Sequence, residues 1–126
     1  MPGVGRAFWD RWRMSLSPPD HALLSDLLEW TRKLQRFVAD VSEDAFLQDE
    51  RTQSAVIHGL IVVGEIASRV SDETRARYPN VPWHEIRGMR NRLVHDYLGT
   101  DVDEVWRTVT GDVPRLERAI ASALAG

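Results

Sequence analysis

Residues 55–67 read AVIHGLIVVGEIA, and this stretch decides the fold of the chain. It is apolar nearly all round, and its β-branched residues would also suit a buried strand. The run is too long for a strand, however, and its polar flanks follow helical spacing. The sequence therefore predicts a central helix from about Asp49 to Val70, in which Gly59 and Gly64 let neighbouring helices approach closely.

The residues before this helix and just after it predict further helical structure. Apolar residues spaced three and four apart predict an amphipathic helix that begins at Asp20. The segments 42–47 and 71–78 predict single helical turns with acidic starts. Residues 79–82, which read PNVP, end this part of the chain because proline and asparagine break regular structure.

Two more helices are predicted in the C-terminal part. One begins near Pro82 and ends before Gly99, and the other carries apolar residues from 102 to 124. Gly111 and Pro114 lie inside the last helix and predict a kink or break near Asp112. No alternating strand pattern occurs in the sequence, so the predicted fold is all-α, an up-down bundle of four to five helices.

The composition is that of a single soluble globular domain. The chain has 126 residues, of which 43% are hydrophobic and 28% charged. The absence of cysteine excludes disulfides and thiolate metal sites and indicates a reducing cytoplasm. The longest apolar stretches are too short to cross a membrane, so no membrane association is expected.

The net charge restricts any role in nucleic-acid binding. It is -3, and the sequence pI is about 5.8. A surface that coats nucleic acid broadly is normally basic, so a contact with RNA has to be sought in a small cationic site.

Residues 1–19 differ from the rest of the chain. Residues 6–13 read RAFWDRWR, and such basic and aromatic residues could bind RNA by stacking or lie on a membrane surface. The simpler interpretation, which we favour, is a disordered leader, or an upstream start with Met14 as the true beginning. The expected organisation is a leader at 1–19 and one helical domain at 20–126.

The segment 90–97, RNRLVHDY, concentrates hydrogen-bonding side chains in one predicted helix. The imidazole of His95 can move a proton near neutral pH, and the guanidinium of Arg90 can hold two phosphoryl oxygens. Asn91 and His95 are neighbours on one helix face. Arg90 and His95 lie about 140° apart around a straight helix, so they converge only if the helix ends there or a second subunit contributes its copy.

A purely structural interpretation of this segment is also open. Arg92 and Asp96 would then form an ion pair on a solvated face, and Tyr97 would be a core residue with its hydroxyl in water. In the central helix, His58 is expected to be a core histidine, and Glu65 could pair with an arginine, shape a cleft or cap a helix.

No metal site or cofactor is predicted. The pair His84-Glu85 begins like a zinc-binding motif, but Gly88 stands where the second histidine is required.

The longer segment 83–97, WHEIRGMRNRLVHDY, closely resembles the HepT-like group of HEPN-domain proteins, whose signature is arginine, a polar residue, a spacer, histidine, any residue and tyrosine. The resemblance extends from about Pro19 to Leu124. It includes the segment 63–67, VGEIA, and the pair Val105-Trp106. The residues 1–18 lie outside it.

This resemblance implies a homodimeric HEPN-like bundle that acts as a metal-independent toxin ribonuclease. It implies that Arg90 and His95 are the catalytic pair and that Asn91 is their polar companion. The partner would be a nucleotidyltransferase antitoxin that silences the toxin by AMPylation of Tyr97, as in a type VII-like toxin–antitoxin pair. Glu65 and Arg92 are candidate supporting residues.

Two other functions are compatible with the residues alone. One is a non-catalytic helical dimer that binds a nucleotidyltransferase or a nucleotide, with Tyr97 only a modification acceptor. The other is an adaptor bundle without a ligand.

Overall fold

The computed structural model describes residues 5–8 and 19–126, and this second range contains the bundle. Its helices are α1 (Asp20–Val38), α2 (Glu43–Leu47), α3 (Glu50–Arg69), α4 (Asp72–Arg77), α5 (Trp83–His95), α6 (Val102–Arg107), a π-helical segment (Thr108–Asp112) and α7 (Val113–Ala125). No strand occurs in the described ranges, so the predicted all-α fold is confirmed.

The central position predicted for residues 55–67 is correct. Helix α3 packs against α1 on one side and α5 on the other, and α1 also packs against α7. The core between these helices includes side chains with almost no exposure to solvent. They are Leu27, Leu34, Phe46, Val56, Leu60, Val63, Val109 and Ile120. Phe46 of α2 packs against the ring of Trp106 at 5.1 Å between centroids, which attaches the short helix α2 to α6.

Asp20 joins the start of α1 to the start of α4. Its carboxylate accepts hydrogen bonds from the Ser71 hydroxyl at 2.5 Å, the Thr74 hydroxyl at 2.5 Å and the Ser71 backbone N–H at 3.1 Å. These hydrogen bonds, that of the Ser71 hydroxyl first, lower the pKa of Asp20 below its usual value of 3.8.

Glu117 joins α7 to α1 in a similar way. Its carboxylate accepts hydrogen bonds from Gln35 Nε2 at 2.5 Å and from Arg32 Nε at 3.1 Å. The bond from Gln35 and then that from Arg32 lower the pKa of Glu117. Polar contacts at both ends of α1 therefore hold α4 and α7 against this helix, and α3 also packs on it.

The distortion predicted near Asp112 takes the form of a π-helical segment. The backbone N–H of Val113 donates to the carbonyl of Thr108, five residues back, and Pro114 has no N–H to donate. The helical path from α6 to α7 is widened here but continues without a break.

Two further predictions concern the N-terminal leader and the expected lack of membrane association. Most of the leader predicted at 1–19 lies outside the described residues; within it, residues 5–8 are helical and exposed. Among the helices described, none combines the length and the apolar character needed to cross a membrane.

Candidate active site

The contact between α3 and α5 is closest where Gly64 meets Arg90. A β-carbon built on Gly64 would stand 2.5 Å from Cγ of Arg90 and would also overlap its Cβ. The aliphatic stem of Arg90 therefore lies directly on the backbone of α3. A residue with any side chain at position 64 would push this stem away.

Two neighbours hold the guanidinium of Arg90. Its Nε donates to Glu65 Oε1 at 2.6 Å, and its Nη2 makes a short contact with the same oxygen. Its Nη1 donates to Asn91 Oδ1 at 2.9 Å. Three of the five guanidinium N–H groups are used in this way, which leaves one donor on each terminal nitrogen. The side chain as a whole is 32% exposed, so a ligand can approach it from solvent.

His95 is placed differently. It is the last residue of α5, it is exposed, and its imidazole has no hydrogen bond with another described residue. No hydrogen bond or ion pair links it to Arg90 within this part of the chain. The structure thus brings Arg90, Asn91 and Glu65 together but does not join His95 to them, in keeping with the divergence expected from helical spacing.

The purely structural interpretation of segment 90–97 is wrong in its details. Tyr97 is 48% exposed and is not a core residue. The ion pair between Arg92 and Asp96 is not formed; within the described residues neither side chain has a salt bridge. Instead both line a groove of about 410 Å³ beside α6, with Thr100 and Glu104 on its far side.

An exposed apolar surface surrounds the end of α5. Val94 is 46% exposed, and Leu98, directly after Tyr97, is 99% exposed. Val94, Tyr97 and Leu98 are thus three large exposed hydrophobic side chains within five residues, and such a cluster, unlike a single exposed leucine, is typical of a surface that contacts another molecule.

A second groove runs along the other flank of α5. It measures about 540 Å³, has an apolar floor that includes Leu60, Ile86 and Met89, and opens where the π-helical segment widens the path to α7. Neither groove is lined by Arg90 or His95. Arg90 is partly exposed and His95 is exposed, outside both grooves. No group of three or more His, Asp or Glu side chains in the described ranges is spaced to hold a metal ion.

Sequence reasoning misplaced His58. It is exposed on the outer side of α3, where its ring meets that of Trp30 at 6.0 Å between centroids. The apolar residues around it suggest burial. The residues of α3 that are buried in the core include Val56, Leu60 and Val63, however, and position 58 lies on the opposite side of the helix. The spacing of these three residues is the signal that would have placed it correctly.

Comparisons with known proteins agree on one family. The family model described as "Ribonuclease HepT-like" matches residues 27–123. The "Putative RNase MJ1380" of Methanocaldococcus jannaschii is 34% identical over 99 residues, which cover 79% of this chain and 91% of that protein. The "Probable ribonuclease HepT" of Thermococcus cleftensis is 35% identical over 94 residues, which cover 75% of this chain and 86% of that protein. No solved structure matches the chain. With most of its length matched by the family model and by such relatives, the chain belongs to the HepT-like ribonuclease family of HEPN-domain proteins.

Proposed function

We propose that this protein is a metal-independent endoribonuclease that acts as the toxin of a cytoplasmic toxin–antitoxin pair. Family membership supports RNA as the substrate. The observation that carries the proposal is the guanidinium of Arg90, held by Glu65 and Asn91 with one N–H free on each terminal nitrogen. Such a pair of donors suits two oxygens of one phosphate.

The proposed reaction needs only groups of the protein and of the RNA. The ribose 2′-oxygen attacks the adjacent phosphorus, and the bond from phosphorus to the 5′-oxygen breaks, which leaves a 2′,3′-cyclic phosphate and a 5′-hydroxyl. His95 moves the proton: its imidazole takes the proton from the 2′-hydroxyl and delivers a proton to the leaving 5′-oxygen, so no net proton is gained or lost. Arg90 stabilises the negative charge on the phosphorane, and Asn91 orients Arg90 through its amide oxygen.

A homodimer is part of this proposal. Within one chain, Arg90 and His95 point to different sides of α5, and a twofold axis near this helix brings the His95 of one protomer towards the Arg90 of the other. The exposed side chains Val94 and Leu98 support a contact at this end of α5, because burying them stabilises the dimer by removing apolar surface from water.

Silencing by a nucleotidyltransferase antitoxin is the regulatory part of the proposal. The hydroxyl of Tyr97 is the proposed acceptor of AMP, since the side chain is half-exposed and follows His95 by two residues. An AMP group there adds negative charge and bulk beside the phosphate site, which repels RNA. Arg92, exposed on the same helix, adds positive potential for RNA.

The test is incubation of the purified protein with single-stranded RNA in the presence of a chelator. We expect products with 2′,3′-cyclic phosphate ends. His95→Ala should lower the rate by about 100-fold or more, and Arg90→Lys should also lower it, because lysine keeps the charge but loses the planar pair of donors.

His21→Ala serves as the matched control, since His21 is an exposed histidine on α1. If His95→Ala cleaves RNA as fast as His21→Ala does, the catalytic assignment is wrong. If the wild-type protein cuts no RNA but accepts AMP from the antitoxin, the protein is instead a non-catalytic helical dimer in which Tyr97 is only a modification acceptor.

A further inference from the structure

The side of α3 that faces solvent carries a stripe of residues separated by three, four or seven positions. From one end of the helix to the other, its members are Arg51, His58, Val62, Glu65 and Arg69. They point away from the core residues of the same helix. Arg51, His58 and Arg69 are exposed, and neither arginine forms a salt bridge within the described ranges. Glu65 is the one acidic member, and its charge is balanced by Arg90. This stripe, which we name the α3 face, is therefore locally basic in a chain of net charge -3.

An aromatic corner lies at the edge of the α3 face. The rings of His58 and Trp30 meet at 70° with 6.0 Å between their centroids, and Lys33 Nζ lies 4.1 Å from the centre of the Trp30 ring. Gly59 lets α1 approach α3 closely beside this corner, because a β-carbon there would stand 2.5 Å from Cδ2 of Leu34. His58 has no hydrogen bond with another described residue, so its ring is free to contact a ligand.

The corner and the proposed catalytic arginine are on the same side of the molecule. His58 and Glu65 are seven residues apart on α3, which places them on one face about 10 Å apart along the helix axis. Glu65 in turn holds the guanidinium of Arg90. A short run of nucleotides can therefore reach from the corner to Arg90 along the α3 face.

We propose that the α3 face is a binding track for single-stranded RNA, an inference that rests on the proposed nuclease function. A base stacks against the ring of His58, and Lys33, which lies over the Trp30 ring, holds a backbone phosphate next to that base. Arg69, eleven residues further along α3 and so about 16 Å away along the axis, holds a phosphate of a later nucleotide, beyond Glu65. Stacking on aromatic rings and contacts with phosphates both tolerate any base sequence, so the track gives affinity and direction to a strand that crosses Arg90.

The test measures binding separately from cleavage. The full-length protein with His95→Ala is titrated into a fluorescein-labelled oligouridine of about 12 nucleotides, and Kd is measured by fluorescence anisotropy. Adding His58→Ala should weaken binding by about 5-fold or more, the usual loss when one base no longer stacks. Adding Arg69→Ala should weaken binding and reduce the slope of log Kd against log salt by about 0.7, as for one lost phosphate contact on a single strand.

Two matched controls show whether the effect is local. His21→Ala removes an exposed histidine nine residues from Trp30, on the opposite side of α1, and Arg118→Ala removes an exposed arginine of α7. Both should leave Kd unchanged. Equal losses in the controls, or no loss with His58→Ala and Arg69→Ala, overturn the track. So does a change of oligomeric state in sedimentation with either track variant, because the α3 face would then be an interface between copies.

A further experiment distinguishes an error in the proposed RNA-binding track from an error in the proposed nuclease function. Photo-crosslinking of RNA that contains 4-thiouridine should attach it to the α1 and α3 peptides that include Trp30 and His58, whether or not the RNA is cut. Crosslinks confined to other helices contradict the track even if cleavage is normal. Crosslinks at Trp30 together with an inactive wild-type protein contradict the nuclease and retain the track.

Discussion

Arg90 lies against Gly64 with no space for a side chain between them: a β-carbon at position 64 would stand 2.5 Å from Arg90 Cγ and 3.5 Å from its Cα. The close approach does two things. It brings α5 onto α3, and it fixes the direction in which the guanidinium leaves the helix, towards the next residue of α3, Glu65. Packing of the bundle and geometry of the site thus depend on the same contact.

Gly64→Ala should therefore destabilise the protein. The added methyl group overpacks the contact between α3 and α5, at a cost of about 1–3 kcal/mol. The gain in helix propensity, about 1 kcal/mol, offsets only part of this cost. Urea unfolding measures the difference, and the nuclease rate should fall as well because Arg90 is displaced.

Gly88→Ala is the control for this prediction. Gly88 is also helical, but a β-carbon there would have no other atom within 4 Å. This variant should be more stable than the wild type by up to about 1 kcal/mol. If the two variants unfold at the same urea concentration, the contact between Gly64 and Arg90 has room for a methyl group, and the prediction is wrong.

Glu65 should act on cleavage through Arg90. Glu65→Ala removes the acceptor of two guanidinium N–H groups, and the freed arginine then samples other rotamers. A small misplacement of a group that binds the transition state can lower kcat by up to about 100-fold. Glu65→Gln keeps one acceptor oxygen but loses the charge, so its kcat should lie between those of Glu65→Ala and the wild type.

The comparison for Glu65 is Glu85→Gln, because Glu85 is exposed on α5 with no salt bridge among the described residues. Its kcat should match the wild type. A rise in kcat with Glu65→Ala would show that Glu65 restrains Arg90 instead of positioning it, and would contradict the prediction.

Most of the fold follows from local sequence patterns. The apolar run 55–67 and the spacing of apolar residues after Asp20 suffice to place α3 and α1, because helix periodicity is a short-range property. The hydrogen bonds between Asp20 and Ser71 cannot be predicted from such patterns, since 51 residues separate the two partners in the sequence. From the sequence, Gly111 and Pro114 predict only a kink or break near Asp112, not a π-helical segment. Its form depends on how the chain satisfies its hydrogen bonds around Pro114.

The residues of the candidate site also differ in how well the sequence predicts them, depending on whether their partners are near or far along the chain. Arg90, Asn91 and His95 stand out because they share one short segment with the chemistry of phosphate binding and proton transfer. For Glu65, sequence reasoning left ion pairing and helix capping open, because its partner Arg90 is 25 residues away on another helix. The assignment of Arg90 and His95 as a catalytic pair stays a prediction, as does that of Tyr97 as the modified residue.

Asp20 should make the stability of the protein depend on acid pH. Its pKa is lower in the folded protein than in the unfolded chain, because hydrogen bonds from Ser71 and Thr74 favour the charged carboxylate. Such a group stabilises the fold above the unfolded pKa, and the contribution is lost as pH falls through the folded pKa. Thermal unfolding should therefore shift to lower temperature as pH drops below the usual value of 3.8.

Asp20→Asn tests this dependence. The variant should have a lower Tm than the wild type at neutral pH, and the gap should narrow as the buffer becomes acidic. Asp26→Asn is the control, since Asp26 is exposed on the same helix without a hydrogen bond to another described residue. A gap between Asp20→Asn and the wild type that stays constant over the whole pH range would contradict the role of the Asp20 carboxylate.

Tyr97→Phe should separate toxicity from its control by the antitoxin. The substitution removes the hydroxyl that we propose as the acceptor of AMP and keeps the half-exposed ring in place. When the protein is co-expressed with a nucleotidyltransferase antitoxin, mass spectrometry should find one AMP group on the wild type and none on Tyr97→Phe, which should continue to inhibit growth. Tyr78→Phe is the matched control, because Tyr78 is the other tyrosine of the chain and packs against the core. It should be modified and silenced like the wild type. AMP transfer to Tyr97→Phe, or silencing of that variant without any modification, would show that the antitoxin acts on another residue or by binding alone.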